Sequence, residues 1–138
     1  MYPQEIVLPM KEELTENGFQ ELLTAEEVEA ALSKKGTTLV MINSVCGCSA
    51  GTARPGTILA VQKSVKKPDQ ITTSFAGFDV EAVNQVRKHL MPYPPSSPAI
   101  ALFKDGELVH MIERHMIEGR SAQMIADNLM GAFDTHCN

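Results

Sequence analysis

The chain has 138 residues, 43% hydrophobic and 21% charged, a balance that suits one globular domain with a sizeable core. Its net charge of -5, with no basic cluster beyond the short stretch Lys63 to Lys67, argues against a nucleic-acid partner. No apolar run approaches the ~18 residues of a membrane span and no basic leader opens the chain, so a cytoplasmic protein with no membrane partner is expected.

Leu8-Pro9-Met10 and the following Lys11-Glu12-Glu13-Leu14 read as a short helix with proline early in it, closed by Gly18. Thr24-Ala25-Glu26-Glu27 has the form of a capping box, with Val28, Ala31 and Leu32 as the apolar face behind it and Gly36 as the stop. Thr37 to Asn43 is too continuously apolar and β-branched for a half-exposed strand and predicts a buried central one. Ser49 to Val65 reads as a helix bent by Pro55. Pro68-Asp69-Gln70 makes a turn, and Ile71 to Ala76 a second strand. Asp79 is placed to cap a helix carrying Val80, Val83, Val86 and Leu90, with Lys88 and His89 near its C-terminal end.

After a proline-rich loop, Pro92 to Pro98, the segments Ala99–Lys104 and Glu107–Glu113 flank Asp105-Gly106, a strong hairpin signal. Ser121 then caps a final helix with Ile125, Leu129, Ala132 and Phe133 inward. Alternating helices and strands followed by a hairpin predict an α/β fold: a central mixed sheet with helices on both faces, in the thioredoxin-like arrangement. Residues 1–138 are taken as one such domain, with 1–23 as an N-terminal extension packed on it.

The most telling feature is Cys46-Gly47-Cys48, two thiols one residue apart just past the buried strand. Three cysteines in a reducing compartment do not make a disulfide framework, so these thiols point to redox chemistry or metal binding. A disulfide needs Cα atoms within roughly 7 Å, which neighbours at i and i+2 meet only with a tight bend; Gly47 tolerates that bend best. The helix that follows would place unpaired N–H groups and a positive dipole end near the sulfurs, favouring thiolate.

Asn43-Ser44-Val45-Cys46-Gly47-Cys48 with Ala53-Arg54-Pro55 resembles the bacilliredoxin family, as do Ser96-Ser97-Pro98, the run Arg114-His115 to Ile117-Glu118-Gly119, and the ending Ala132-Phe133-Asp134 to His136-Cys137. These blocks span nearly the whole chain. The resemblance implies a thioredoxin-like protein that removes bacillithiol from mixed disulfides on client proteins. Bacillithiol would be the thiol co-substrate, with no organic cofactor and no metal. Cys46 would be the attacking nucleophile and Cys48 its partner or resolving thiol. Pro98 would be the cis-proline facing the dithiol, and Ser97 before it would offer backbone groups to an extended substrate. One residue between the thiols, where thioredoxin has two, and no tryptophan before them set the chain apart from thioredoxin itself.

Two other functions compete. One is a protein disulfide isomerase using the same motif. The other is a metal-binding module with Cys46, Cys48, His136 and Cys137 as ligands. Cys137 is otherwise taken as an inert thiol, Arg54 as a surface arginine two turns beyond Cys46, and the eight methionines as core filler.

Overall fold

In the computed structural model, which describes residues 1–138, five strands form one mixed sheet in the order β1-β3-β2-β4-β5. The strands are β1 (Gln20–Glu21), β2 (Thr37–Asn43), β3 (Gln70–Phe75), β4 (Ala99–Lys104) and β5 (Glu107–Ile112). β1, β3 and β2 run parallel, while β4 is antiparallel to both β2 and β5. Helices α1 (Gln4–Thr15), α2 (Ala25–Leu32), α3 (Arg54–Lys63), α4 (Val80–Leu90), α5 (Arg114–Ile117) and α6 (Ala122–His136) connect or flank them. None of these helices is long and apolar enough to cross a membrane.

The unbroken apolar run of β2 follows from burial on both faces. Leu39 and Met41 point into one core with Leu14, Ala60, Ile125, Leu129 and Phe133, supplied by α1, α3 and α6. Val40 and Ile42 point into a second core with Val28, Leu32, Val83, Val86 and Phe103, walled by α2 and α4. Alternate residues of a strand face opposite sides, so a central strand covered twice needs apolar side chains at every position. The expected architecture is therefore present, helices on both faces included.

The local signals hold in most places. Thr24 and Glu27 form the complete capping box, and Ser121 caps α6 by accepting from the Met124 N–H. Asp105 and Gly106 both take positive φ, 52° and 83°, as a tight hairpin turn requires. Other elements depart from expectation. α1 begins at Gln4, with the Ile6 and Val7 N–H groups donating to the Pro3 carbonyl, so Pro9 lies mid-helix instead of near the start. Asp79 does not cap α4 with its side chain: Oδ2 accepts from the Phe75 N–H and Oδ1 from Lys11 Nζ, tying the turn after β3 to α1. Two short elements, β1 and α5, carry too few residues to leave a periodic signal.

The helix after the thiols is also not uniform. Ser49–Ala53 forms a π-turn before α3, with the Arg54 N–H donating to the Ser49 carbonyl five residues back. Pro55 has no N–H to give, so the ladder widens just ahead of it instead of bending mid-helix.

Candidate active site

Parallel β2 and antiparallel β4 bring two distant segments to the same end of the sheet. Ile42 pairs with Ala99, so the loop leaving β2 at Ser44 and the segment ending at Pro98 are neighbours. The Ser97–Pro98 peptide is cis, as is Met91–Pro92. Pro98 is buried and Ser97 half-buried.

Cys46 occupies the position of a helix N-cap. Its carbonyl accepts from the N–H groups of Ser49, at 2.9 Å, and Ala50, at 3.3 Å. Its Sγ accepts from the Cys48 N–H at 3.4 Å, the place a serine or aspartate oxygen takes in an ordinary cap. The Cys46 N–H donates to Ser44 Oγ at 3.2 Å, closing the turn from the other side. Both thiols are free and half-buried.

The two sulfurs have opposite acidities. Cys46 is held below the ordinary cysteine value, first by the Cys48 thiol donating toward its sulfur. The Cys48 N–H, the Arg114 charge and the Ser49 N–H add to this, and together they outweigh desolvation. Cys48 is pushed up, first by burial and then by its own bond and proximity to Cys46. Cys46 is thus the more acidic of the two thiols, and Cys48 beside it holds its proton more tightly. The helix start does contribute, as the sequence suggests, but the largest cause is the partner thiol.

Gly47 has a helical backbone without positive φ, and a Cβ built there would meet nothing within 4 Å. The reduced dithiol places no demand on glycine; only a closed disulfide would.

Beneath the loop lies a polar floor that the sequence hid. Asn43 is fully buried. Its Oδ1 accepts from the Ser44 N–H at 2.8 Å, Ser49 Oγ at 3.1 Å and Arg54 Nη1 at 2.9 Å. Its Nδ2 donates to the Met10 carbonyl at 3.0 Å. Arg54 is 3% exposed, so it is not the surface residue its spacing suggests. The widened π-turn rotates it inward, where Nη1 also donates to the Ser44 carbonyl at 3.0 Å and Nε to Glu13 Oε1 at 2.8 Å. A polar residue ending an otherwise apolar buried run was the visible clue to Asn43; nothing local marked Arg54.

Arg114 is the other residue that spacing does not single out as functional. It opens α5, its N–H donates to Ser96 Oγ and its Nη1 to the Ser97 carbonyl, both at 3.3 Å. It thereby connects the cis-proline segment to the surroundings of the thiols, whose charge raises its own pKa, Cys46 first.

The four-ligand metal site does not assemble. Cys137 is 4% exposed in the core, beside Thr37 at the start of β2, whose hydroxyl is placed to donate to its sulfur. Cys46 follows the far end of that strand, about 20 Å away at the usual rise per residue. No group of three or more His, Cys, Asp or Glu side chains converges elsewhere.

A family model described as Disulphide isomerase matches residues 2–137. The chain belongs to this family. Within it, a bacilliredoxin from Cytophaga hutchinsonii is 59% identical, over 97% of this chain and 98% of its own. A bacilliredoxin from Bacillus licheniformis is 50% identical, over 99% of this chain and 95% of its own. Among solved structures, the oxidised thioredoxin from Plasmodium falciparum overlays 84% of this chain and 98% of its own with a TM-score of 0.60 at 14% identity. The thioredoxin fold is thus shared, and the disulphide isomerase family with its bacilliredoxin relatives makes this chain a thiol–disulfide oxidoreductase.

Proposed function

We propose that this oxidoreductase removes bacillithiol from mixed disulfides on client proteins, with Cys46 as nucleophile. The observation that carries the assignment of roles is the Cys46 sulfur itself. It accepts an N–H bond at a helix start, next to a protonated Cys48, and is partly exposed. A lowered pKa places more of Cys46 in the reactive form at neutral pH, and the thiolate is the attacking species.

The first step is an exchange. Cys46 thiolate attacks the bacillithiol sulfur, a Cys46–bacillithiol disulfide forms, and the client sulfur leaves as thiolate and takes up a proton. Two exits follow. A second bacillithiol thiolate attacks the bacillithiol sulfur and leaves Cys46 reduced with bacillithiol disulfide released. Alternatively Cys48 loses its proton and attacks Cys46, releasing bacillithiol and closing a Cys46–Cys48 disulfide that an external thiol must reduce. Ser97 presents its backbone to an extended client beside Pro98, and Gly47 serves the second exit. The reaction runs on thiols, with no organic cofactor or metal, and suits a reducing, cytoplasmic setting.

Relatives named bacilliredoxin at 59% and 50% identity support this substrate. The family model's own description supports a second reading, isomerisation of protein disulfides by the same thiols. Clients carrying bacillithiol, clients carrying glutathione and a scrambled-disulfide protein, each incubated with the chain, separate the possibilities. Faster release of bacillithiol than of glutathione, abolished in Cys46→Ser, is expected. Preferential rescue of the scrambled protein, with no release of bacillithiol, would overturn the substrate assignment in favour of isomerisation.

A further inference from the structure

The dithiol has one cation at its side, and most of its N–H donors are unused. Arg114 Nε donates to Glu118 Oε1 at 3.1 Å and Nη1 to the Ser97 carbonyl at 3.3 Å. Nη2 has no acceptor in the protein, and the side chain is 45% exposed. Two bonds from one planar group fix its orientation, and a guanidinium so held leaves its Nη2 N–H groups to donate to an arriving anion. Its bond to Ser97 sets it beside Pro98, at the end of the sheet where β2 runs into Cys46, and its charge is felt by both thiols. The surrounding protein carries a net charge of -5, so this is a local reversal of sign at the place where a substrate sulfur must arrive.

Glu118 is the counterweight. It pairs with Arg114 across one helical turn and acts on Cys48 in the direction opposite to Arg114. An incoming anion would therefore compete with Glu118 for the guanidinium, and removing the Glu118 charge should strengthen anion attraction.

From this we infer that the free Nη2 of Arg114 is an anion subsite of the dithiol, selecting mixed disulfides whose low-molecular-weight thiol bears a carboxylate. The inference builds on the exchange chemistry proposed above but names the residue that would discriminate between adducts. Arg114 is a specificity-determining residue in this scheme, and Glu118 moderates it.

Alkylation of Cys46 by iodoacetate and by iodoacetamide tests the subsite without any client or bacillithiol. The two reagents differ in charge, and both react with the same thiolate as iodide leaves. Their rate ratio in a Cys48→Ser, Cys137→Ala background therefore cancels the thiolate fraction. Arg114→Gln should lower the iodoacetate-to-iodoacetamide ratio roughly threefold or more, and Glu118→Gln should raise it. Arg114→Lys, which keeps charge but not the held planar donor group, should fall between. Salt at ~0.5 M should compress all the differences, because exposed charges are screened. An unchanged ratio in Arg114→Gln would overturn the subsite. A ratio that responds as expected, in a protein that fails to release bacillithiol, would uphold the subsite while removing the proposed substrate.

Discussion

Arg54 Nη1 and Asn43 Oδ1 meet at 2.9 Å directly below the turn that carries both thiols. The bond joins the end of β2 to the start of α3, the two elements between which Cys46 is suspended. Because Asn43 Oδ1 also accepts from Ser44 and Ser49, one buried oxygen holds both ends of the loop. Glu13 of α1 then balances the Arg54 charge, so the N-terminal segment bears on the geometry of the site.

Arg54→Met should therefore act at a distance. It strips a donor from Asn43 and leaves the buried Ser44 carbonyl without its Nη1 partner. Removing one member of a buried charged network costs about 3 kcal/mol, seen as a lower urea midpoint with an unchanged slope. The midpoint for Cys46 alkylation should also rise, since the loop would no longer hold its sulfur on the Cys48 N–H. Loss of stability with an unaltered alkylation midpoint would make Arg54 a packing residue and nothing more. Glu13→Gln should cost less than about 1 kcal/mol, because that carboxylate is partly in water.

The contrast between Arg54 and the rest of the site shows what a sequence can carry. β2, the Thr24–Glu27 capping box and the Asp105-Gly106 hairpin rest on local rules of periodicity and turn chemistry, and they stand where those rules put them. The juxtaposition of Cys46 and Pro98 depends on strand order, legible only through resemblance to a known fold. Arg54 turns inward because a π-turn changes the angular position of every residue after it. A helical wheel drawn at 3.6 residues per turn misplaces such a side chain. The competing metal reading of Cys137 fails for the opposite reason: nearness in sequence to His136 says nothing about which end of the sheet it reaches.

Two glycines near the site should respond oppositely to alanine. Gly47 is exposed and helical with open space around it, so Gly47→Ala should leave stability unchanged or raise it by up to ~1 kcal/mol through helix propensity. Any loss should appear only in closure of a Cys46–Cys48 disulfide. At Gly56 a Cβ would stand 2.8 Å from the Ala122 carbonyl oxygen and 2.8 Å from Ile125 Cβ, where α3 packs on α6. Neither neighbour is the free end of a side chain, so Gly56→Ala should cost roughly 1–3 kcal/mol. Thermal unfolding of both variants checks the pair; equal effects would contradict the packing described.

Cys137 should stay silent in the folded protein. Burial pushes its thiol up, and it packs in the core shared by α3 and α6. A coloured thiol reagent at neutral pH should titrate Cys46 rapidly, Cys48 more slowly, and Cys137 only on adding denaturant. Because its folded pKa is raised, the stability contributed by Cys137 is complete below the ordinary thiol value of ~8.5 and is lost as pH rises beyond it. Cys137→Ala should therefore flatten the decline of stability between about pH 8.5 and 10, and an unaltered decline would mean that this thiol is not the group being exposed.

The acidity of Cys46 can be divided between its causes by changing Cys48 in two ways, with Cys137→Ala throughout. Cys48→Ser keeps a side-chain donor beside the sulfur, whereas Cys48→Ala removes it, and both keep the backbone N–H that reaches Cys46. Since the Cys48 thiol is the leading cause of the lowered pKa, the alkylation midpoint should be higher in Cys48→Ala than in Cys48→Ser. It should still lie below the ~8.5 of free cysteine in both, because the N–H bonds and Arg114 remain. Linkage gives an independent check with a definite sign. A thiol whose folded pKa is depressed contributes stability that is present above the unfolded value and is lost as pH falls through the folded one. In the Cys48→Ser background, the difference in unfolding free energy between Cys46 and Cys46→Ser proteins should therefore grow as pH rises from about 6 toward 9. Equal midpoints in the serine and alanine variants would remove the Cys48 thiol as a cause, and a difference that shrinks with pH would mean that Cys46 is not acidified by folding at all.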